Sequence, residues 1–543
     1  MSSDTLAAPP PPSSEGPKKN AKGSAFWFTF LAIIVTVFLS ALDLTSVGTA
    51  LPTIIADLNG GSDFAWVGSA YALSSTAFIP LSGALADIFG RKPIMLMAIV
   101  LFALGSALAG ASQNMNRLIA ARAIQGIGGG AILNLADIIV SDLVPLAERG
   151  MFEGLIALMW AFACGVGPPI SGALAGNASW RWLFYINLPL AGISFFLVLF
   201  YLRVRTPPGS IITKLARVDW FGNFIVISGT TLAIVGLTFG GGRFPWGSVQ
   251  VLVPLILGFT LVAAFLYYEG VVPKEPTIPW EVLSNRTTVG GYLATLIHGI
   301  TSTAVIYYLP VYFQAVTGAD PTMSGVDVLM FAVLVAITAL IAGVSITVMK
   351  KYVPVNIVAW VILMVGFGVL TLMKVGLSRT QWLGYQVACS AGLGILFVSP
   401  LFAVLAPLPV SRNASALAFF AFTRAFAQTW GITIAGTILQ NQLTKMLPES
   451  FVSLIPGEGS NLAYAAIPII NRLPEPLRTE VRVTFANSLR MIWRVMIGIT
   501  GAGMLTLLLL KEVPMNMEVN EAYGLREELD GEKDLATVAA KEV

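Results

Sequence analysis

Long hydrophobic runs separated by short polar stretches fill most of this chain. Between residues 26 and 510, runs of about 20 or more apolar residues recur, and a helix of that length crosses the hydrocarbon core of a bilayer. The pattern predicts an all-α polytopic membrane protein with about fourteen transmembrane helices. The predicted spans are residues 26–54, 64–86, 93–113, 117–140, 152–175, 183–203, 219–239, 248–270, 288–316, 326–349, 354–376, 382–406, 414–439 and 486–510.

Composition agrees with a membrane protein and argues against several other classes. The 543 residues are 56% hydrophobic and 11% charged, with a mean hydropathy of +0.79, which is more apolar surface than a soluble domain can bury. The net charge of +3 gives no reason to expect a nucleic-acid partner. The sequence has one histidine and no nucleotide-binding loop, metal-ligand cluster or nucleophile–base pair. We therefore expect no enzymatic activity, no cofactor and no metal.

Loop charge predicts the orientation of the chain. An even number of spans places both termini on one side, and basic residues concentrate in the short loops of that side, which predicts cytosolic termini. The tails, residues 1–25 and 511–543, are polar and expected to be disordered. A long loop over about 440–485 lies outside, and residues 477–483 in it are expected to form a short surface helix. The inner basic residues are Arg91, Lys92, Arg149, Arg203, Arg205, Lys214, Arg217, Lys274, Arg286, Lys350, Lys351 and Arg412.

A weak internal repeat divides the spans into two halves. Leu51-Pro52 near the end of the first span resembles Leu309-Pro310 in the ninth. Two six-helix halves, residues 26–203 and 288–510, separated by an inserted helix pair in residues 204–287, account for this repeat. Paired repeats around a central site are a common plan for transporters.

The fifth span contains a Gly167-Pro168 pair, followed by Gly172. Proline has no N–H and interrupts the backbone hydrogen-bond ladder, which a membrane helix tolerates only where neighbouring groups satisfy the freed carbonyls. Ala163, Gly167 and Ser171 recur every four residues and form a stripe of small residues for close helix packing. We expect this helix to be kinked and to act as a moving part.

Asp43, Arg122 and Asp137 are charged residues inside predicted spans of the N-terminal half, where an unpaired charge costs several kcal/mol. Asp43 lies roughly 25 Å of helix rise from the inner edge and Arg122 roughly 8 Å from the outer edge, so both lie in the outer half and can meet. Such a pair either exchanges a proton or is a static ion pair. Asp137 is roughly 22 Å of rise from Arg122 and cannot pair with it. It either faces an inner cavity or lies at the cytosolic interface.

Two further polar residues lie at mid-depth in the second half. His298 either titrates in transport or is a hydrogen-bonded core residue. Arg424 has no acidic candidate partner within the spans of that half, which leaves a substrate anion, backbone carbonyls or a partner in the other half. Together with Asp137, Tyr308, Gln314 and Gln428, these two residues are the candidate lining of a broad cavity for amphipathic compounds.

Several segments together resemble motifs of the major facilitator superfamily. GALADIFGRK at 83–92 resembles its loop motif, RLIAARAIQGIGG at 117–129 its fourth-helix motif, and GPPISG at 167–172 the fifth-helix motif of its antiporters. LDLTSVGTALP at 42–52 and WRWLFYINLP at 180–189 resemble the fourteen-span drug:proton antiporters, in particular the fungal multidrug and toxin-efflux branch. The resemblance implies the family's fold, with two six-helix halves plus two inserted helices.

The resemblance also implies roles for residues in this chain. It implies proton coupling at Asp43 and Arg122, and an antiporter role for the helix of Gly167, Pro168 and Gly172. It implies a conformational switch in a cytosolic charge cluster that holds one conformation closed. The switch residues are Gly83, Asp87, Gly90, Arg91 and Lys92, with Asp142 and Arg149 as a partner cluster.

The function implied is proton-coupled export of drugs, toxins or secondary metabolites at a plasma membrane by a protein that works as a monomer. One alternative keeps the fold and carries basic amino acids at a vacuolar membrane, or siderophores, and Asp137 would favour such a cation. A second alternative is a transporter-like sensor, against which the short tails argue.

Overall fold

The computed structural model describes residues 23–58, 65–241, 244–273, 275–454, 462–519 and 523. Regular structure in these ranges is helical, apart from one isolated bridge between Gly240 and Phe244. The long helices are α1 Ser24–Leu58, α2 Ala65–Phe89, α3 Arg91–Gly110, α4 Met115–Leu143, α5 Leu146–Asn177, α6 Asn187–Tyr201, α7 Trp220–Phe239, α8 Val249–Val271, α9 Arg286–Tyr312, α10 Pro321–Met349, α11 Val353–Leu370, α12 Arg379–Leu405, α13 Asn413–Met446 and α14 Leu477–Leu505. Short helices are Trp182–Tyr185, Ile211–Arg217, Glu281–Ser284, Glu449–Val452 and Leu462–Ile470, and π-helical residues Phe313–Thr317 extend α9.

Within the described ranges, thirteen helices are long and apolar enough to cross a membrane. The exception among the fourteen long helices is α13, which corresponds to the predicted span 414–439. Its 34 residues are sufficient in length, but they include several Thr and Gln residues and Arg424, which lower its hydropathy. The helix is accommodated because it packs against α2, α4, α9 and α14 in the interior of the bundle.

The start of α14 differs from the prediction. The helix begins at Leu477, nine residues before the predicted span, so residues 477–483 are its first turns and not a separate surface helix. Pro476 stands just before the helix start, a region where proline is tolerated, and no helix breaker separates this segment from the apolar span. The buried side chains of Val481 and Phe485 continue the packed face into the first turns.

The helices pack into two groups. In the N-terminal group (α1–α6), α4 packs on α2 and α3, and α1 packs on α5 and α6. In the C-terminal group (α9–α14), α12 packs on α9, α10 and α11, while α14 packs on α9, α11 and α13. The groups meet mainly where α5 contacts α10 and where α2 contacts α13. The pair α7–α8 packs on the side of the bundle, with α7 against α2 and α13.

The two groups are in close contact at one end of the bundle. We call this the motif end, because it holds the α2–α3 and α4–α5 loops, and we call the other the opposite end. The backbone of Gly150 in α5 lies so close to that of Gly343 in α10 that no side chain fits between them. The Nζ of Lys350 donates to the carbonyl oxygen of Ala147 at 2.6 Å. The structure is therefore closed at the motif end.

Residues 511–519, expected to be disordered, lie along the motif end. The carboxylate of Glu512 accepts hydrogen bonds from the backbone amides of Tyr352 at 3.0 Å and Val353 at 3.1 Å, at the start of α11. The carbonyl oxygen of Asn516 accepts from the amide of Ala147 at 3.3 Å. This part of the tail is ordered because its acidic and backbone groups satisfy helix-start amides that have no partner within their own helices.

Candidate functional site

The structure brings Asp43 of α1 and Arg122 of α4 together in the N-terminal group. The Nη1 of Arg122 donates to Oδ2 of Asp43 at 2.6 Å and to Oε1 of Gln125 at 2.7 Å. The other carboxylate oxygen, Oδ1, accepts from Gln125 at 2.9 Å and from Asn187 at 2.8 Å. Both oxygens of the carboxylate are thus held by donors, which is how a protein keeps a buried charge.

A second layer of groups fixes the geometry of this pair. Ser106 accepts hydrogen bonds from both Gln125 and Asn187, at 3.1 and 3.0 Å. The guanidinium of Arg122 lies 4.5 Å from the ring centroid of Tyr71, and its side chain is 1% exposed, as is that of Asp43. Gln125 and Asn187 lie in the segments that carry the family resemblance, but sequence reasoning assigned them no role. The signal that could have identified them is their amide side chains, which can donate hydrogen bonds to a buried carboxylate.

The predicted switch residues form a second buried network at the motif end. Arg91 donates to Oδ1 of Asp87 and to Oδ2 of Asp142, both at 2.7 Å, and so joins the α2–α3 loop to α4. Gly90 has φ +97, a left-handed conformation that suits glycine, and a Cβ there would lie 2.7 Å from Thr206. Lys92 is half-buried beside Arg91.

Other parts of this region differ from the expected pattern. The Nη2 of Arg149 donates to the carbonyl of Ser141 at 2.8 Å and to that of Val144 at 3.1 Å. It therefore fastens the α4–α5 connection through backbone groups and makes no ion pair with Asp142. The tail residue Tyr523, which sequence reasoning missed, has its ring centroid 3.3 Å from the Arg91 guanidinium, and burial raises the pKa of its phenol.

The small-residue stripe of α5 faces α1. A Cβ on Gly167 would lie 2.5 Å from Oγ1 of Thr45, and the hydroxyl of Ser171 donates to the carbonyl of Ser46 at 2.6 Å. The helix is continuous through Gly167 and Pro168, with Gly172 half-buried one turn later. The small residues of α5 that meet α10 are instead Gly150 and Gly154, whose four-residue spacing was a visible signal that sequence reasoning overlooked.

A third charged cluster joins the two groups. Asp137 of α4 interacts electrostatically with Arg424 of α13 and with Arg149 of α5. Glu153, one turn after Arg149, belongs to the same cluster and was missed because it lies inside an apolar run. Arg424 also donates to the carbonyl of Phe397 at 2.7 Å, so it has both a backbone partner and partners in the other group.

Polar atoms in this cluster remain available to a ligand. Oε1 of Glu153, Nε of Arg424 and Nδ1 of His298 are buried and have no hydrogen-bond partner within the described residues. The other ring nitrogen of His298 lies 3.1 Å from the carbonyl of Leu393, and the ring interacts electrostatically with Arg424. The cluster thus combines two carboxylates, two guanidiniums and an imidazole between the two groups.

Two of the remaining candidate cavity residues, Tyr308 and Gln314, make their hydrogen bonds outside this cluster. The hydroxyl of Tyr308 donates to the carbonyl of Ile432 at 3.1 Å, so the side chain packs between α9 and α13. Gln314 lies in the π-helical extension of α9 and donates to Ser324 at 3.4 Å. Gln428 is exposed on α13, one turn after Arg424.

Comparison with known proteins decides the family. The family model "Major Facilitator Superfamily" matches residues 33–432. The chain belongs to the major facilitator superfamily. The predicted family and its all-α fold are therefore confirmed. Because the family consists of transporters, the prediction that this protein is not an enzyme is confirmed as well.

Other superfamily members match over nearly the whole chain. The chain is 37% identical to "Efflux pump FUS6" of Gibberella moniliformis, with 96% of this chain and 94% of that protein covered. It is 38% identical to "MFS-type efflux pump LUC4" of a Fusarium species, with 95% and 93% covered. Among solved structures it resembles the proton:xylose symporter XylE, with a TM-score of 0.58, 13% identity and 91% and 98% of the chains covered, which shows the shared fold alone.

Proposed function

We propose that this protein exports amphipathic drugs, toxins or secondary metabolites in exchange for protons, by alternating access and as a monomer. We further propose that it does so at the plasma membrane, with the motif end and both termini in the cytosol. Export is supported by relatives named as efflux pumps over nearly the whole chain. Proton exchange is supported above all by the buried Asp43–Arg122 pair, because the two side chains are 1% exposed and linked at 2.6 Å.

Asp43 is a chemically suitable proton carrier. A carboxylate that is paired with a guanidinium in a dry site and later meets water changes its preference between the charged and neutral forms. All side-chain partners of Asp43 come from α4 and Asn187, within the N-terminal group. Protonation would therefore loosen packing inside that group. Arg122 would then turn to Gln125 and to the carbonyl of Val67, both of which it already contacts.

Alternating access requires the motif end to open. In the closed state α5 contacts α10, α2 contacts α13, and Arg424 faces Asp137 and Glu153 across the two groups. Opening would separate Arg424 from both carboxylates, so an uncompensated charge would be left on each side. Entry of a proton or of a polar substrate group would offset that cost. The cluster is therefore the proposed polar contact of the cargo, with His298 beside it.

The balance of charge in this cluster bears on the cargo. Asp137 and Glu153 carry two negative charges, and Arg149 and Arg424 carry two positive charges, so the four groups together are neutral when ionised. A site for basic amino acids needs an excess of carboxylate. The arrangement therefore favours an amphipathic cargo with dispersed polarity over the vacuolar amino-acid alternative.

Transport by purified protein in vesicles tests the proposal. Vesicles with an acidic lumen should accumulate members of a panel of amphipathic dyes and fungal secondary metabolites, and a protonophore should abolish that uptake. Asp43→Asn should lose gradient-driven uptake, whereas Asp57→Asn, a matched change on the exposed end of the same helix, should keep it. Uptake that is insensitive to the protonophore, or normal gradient-driven uptake by Asp43→Asn, would refute the coupling.

A further inference from the structure

A basic pocket lies at the opposite end of the C-terminal group, away from the charge networks described above. Its volume is about 400 Å³, and it is formed where α11, α12 and α14 meet. Three of its lining side chains are cationic and none of the lining residues is acidic. The pocket is lined by Thr371, Leu372, Lys374, Tyr385, Arg490 and Arg494.

The cations of this pocket lack protein counter-ions. The Nε of Arg490 donates to the carbonyl of Thr371 at 2.9 Å, which fixes the guanidinium and leaves its two terminal nitrogens for another acceptor. The side-chain ammonium of Lys374 and the guanidinium of Arg494 have no hydrogen-bond or ion-pair partner within the described residues, although the backbone carbonyl of Lys374 accepts from the Tyr312 hydroxyl at 2.8 Å. Two acidic groups at this end, Asp327 and Glu475, are paired with other arginines, and neither lines the pocket.

The depth of the pocket matches a lipid headgroup. Thr371 is the first residue after α11, so the guanidinium that binds its carbonyl lies level with the end of that helix. Arg490 and Arg494 are one turn apart on α14, which begins earlier, at Leu477. A cation at that level meets the phosphate layer of the bilayer, and guanidinium groups bind phosphate through paired N–H donors.

The surroundings of the pocket suit acyl chains. Leu372 on its rim is 55% exposed, and Val365 and Val361, about two and three turns back along α11, are 55% and 46% exposed. This apolar strip faces away from the N-terminal group, since α11 packs on α12 and α14. A phosphate in the pocket would therefore be continuous with a surface for hydrocarbon.

We propose that this pocket binds the phosphate of a phospholipid headgroup, with Lys374, Arg490 and Arg494 as its ligands and the acyl chains along α11. A volume near 400 Å³ lies within the range of small-ligand sites. The bond from Arg490 to Thr371 alone would be an ordinary helix-end contact. That bond does nothing for Lys374 and Arg494, whose side chains still lack an acceptor. A bound phosphate would supply an acceptor to all three cations. The proposal does not depend on the transported cargo.

Native mass spectrometry of the full-length protein tests this site. Wild-type protein should retain phosphatidylglycerol and phosphatidylcholine but not diacylglycerol, which lacks the phosphate. Lys374→Gln combined with Arg494→Gln should weaken phospholipid binding by about tenfold or more, because each basic residue contributes to phosphate attraction. This pair of changes preserves the Arg490–Thr371 bond and hence the local fold.

Arg478→Gln is the matched control. Arg478 is on the same helix as Arg494, and its change also removes one positive charge from that helix. It pairs with Glu475 and does not line the pocket, so lipid binding should be unchanged. Inorganic phosphate at millimolar concentration should fail to displace phosphatidylglycerol. Displacement by inorganic phosphate would overturn the lipid assignment in favour of a free-phosphate site. Equal retention of phospholipid by the double variant and wild type would overturn the site itself.

Discussion

The contact between Gly150 of α5 and Gly343 of α10 offers a direct test of the closed motif end. A Cβ built on either glycine overlaps the carbonyl oxygen of the other, which is backbone and cannot rotate away. Overpacking of this kind costs about 1–3 kcal/mol. Because α5 and α10 belong to different groups, opening of the motif end would relieve the overlap without unfolding either group. A cost of about 2 kcal/mol then shifts the ratio of open to closed molecules by about 30-fold.

Cysteine accessibility measures this shift. In a background without Cys164 and Cys389, a reporter Ala418→Cys occupies a position that is 2% exposed between α13 and α2 in the closed structure. Gly150→Ala and Gly343→Ala should each accelerate labelling of the reporter by a membrane-impermeant maleimide. Where the small population of open molecules limits labelling, the labelling rate should rise by up to about 30-fold, which is the shift in the open-to-closed ratio given above.

Gly128→Ala is the control that separates opening from instability. A Cβ there would lie 2.5 Å from the amide nitrogen of Phe102 and 2.6 Å from the carbonyl oxygen of Ala98, both in the N-terminal group, so opening brings no relief. This variant should melt at a lower temperature without faster labelling. Wild-type labelling rates in Gly150→Ala, or equally fast labelling in Gly128→Ala, would refute the reasoning.

Three further predictions concern stability. Hydrogen bonds from Trp180 and Arg181 lower the pKa of Asp57. The stability that the ionised Asp57 contributes is therefore fully present above the usual aspartate pKa and is lost as the pH falls through the lowered pKa. The difference in melting temperature between wild type and Asp57→Asn should narrow from pH 6 to pH 3. Glu512→Gln should lower stability by about 1 kcal/mol in thermal melts, because Glu512 caps two backbone amides at the start of α11. Gly167→Ala should cost about 1–3 kcal/mol by contact with Thr45, and Thr45→Ala in the same protein should restore most of that loss.

Each of these has a contradicting outcome. A constant gap between wild type and Asp57→Asn across the acidic range would show that the carboxylate makes no pH-dependent contribution. Glu518→Gln, in the same tail but with Asn516 as its side-chain partner, should be neutral, and an equal loss there would deny the capping role. Failure of Thr45→Ala to rescue Gly167→Ala would place the crowding elsewhere on α5.

Much of the fold was predictable because run length and hydropathy determine where membrane helices lie. The helical count places Asp43 and Arg122 at similar depth, and the structure brings them to 2.6 Å. Asp87 and Arg91 are only four residues apart across the short α2–α3 loop, and they meet at 2.7 Å. The first pairing depends on depth along a helix and the second on closeness in the chain, and sequence reveals both well.

The rest depended on the rotation of each helix about its own axis, which hydropathy does not determine. Glu153 was hidden in an apolar run, although its rotation turns it toward Asp137 and Arg424. The small stripe of α5 faces α1, whereas Gly150 and Gly154 face α10. Contacts from distant segments, such as the tail residue Tyr523 on Arg91, are equally invisible to local patterns. The helix α13 was predictable in position but not in its polar interior role.

The most direct test of proton exchange at Asp43 is a measurement of protons released on substrate binding. A compound transported in the vesicle assay is added to purified protein in weakly buffered detergent solution with a pH indicator. Wild-type protein should release protons with a saturable dependence on the compound, and Asp57→Asn should match it. Asp43→Asn should bind the compound without release. Release by Asp43→Asn equal to that of the wild type would contradict the proposed coupling.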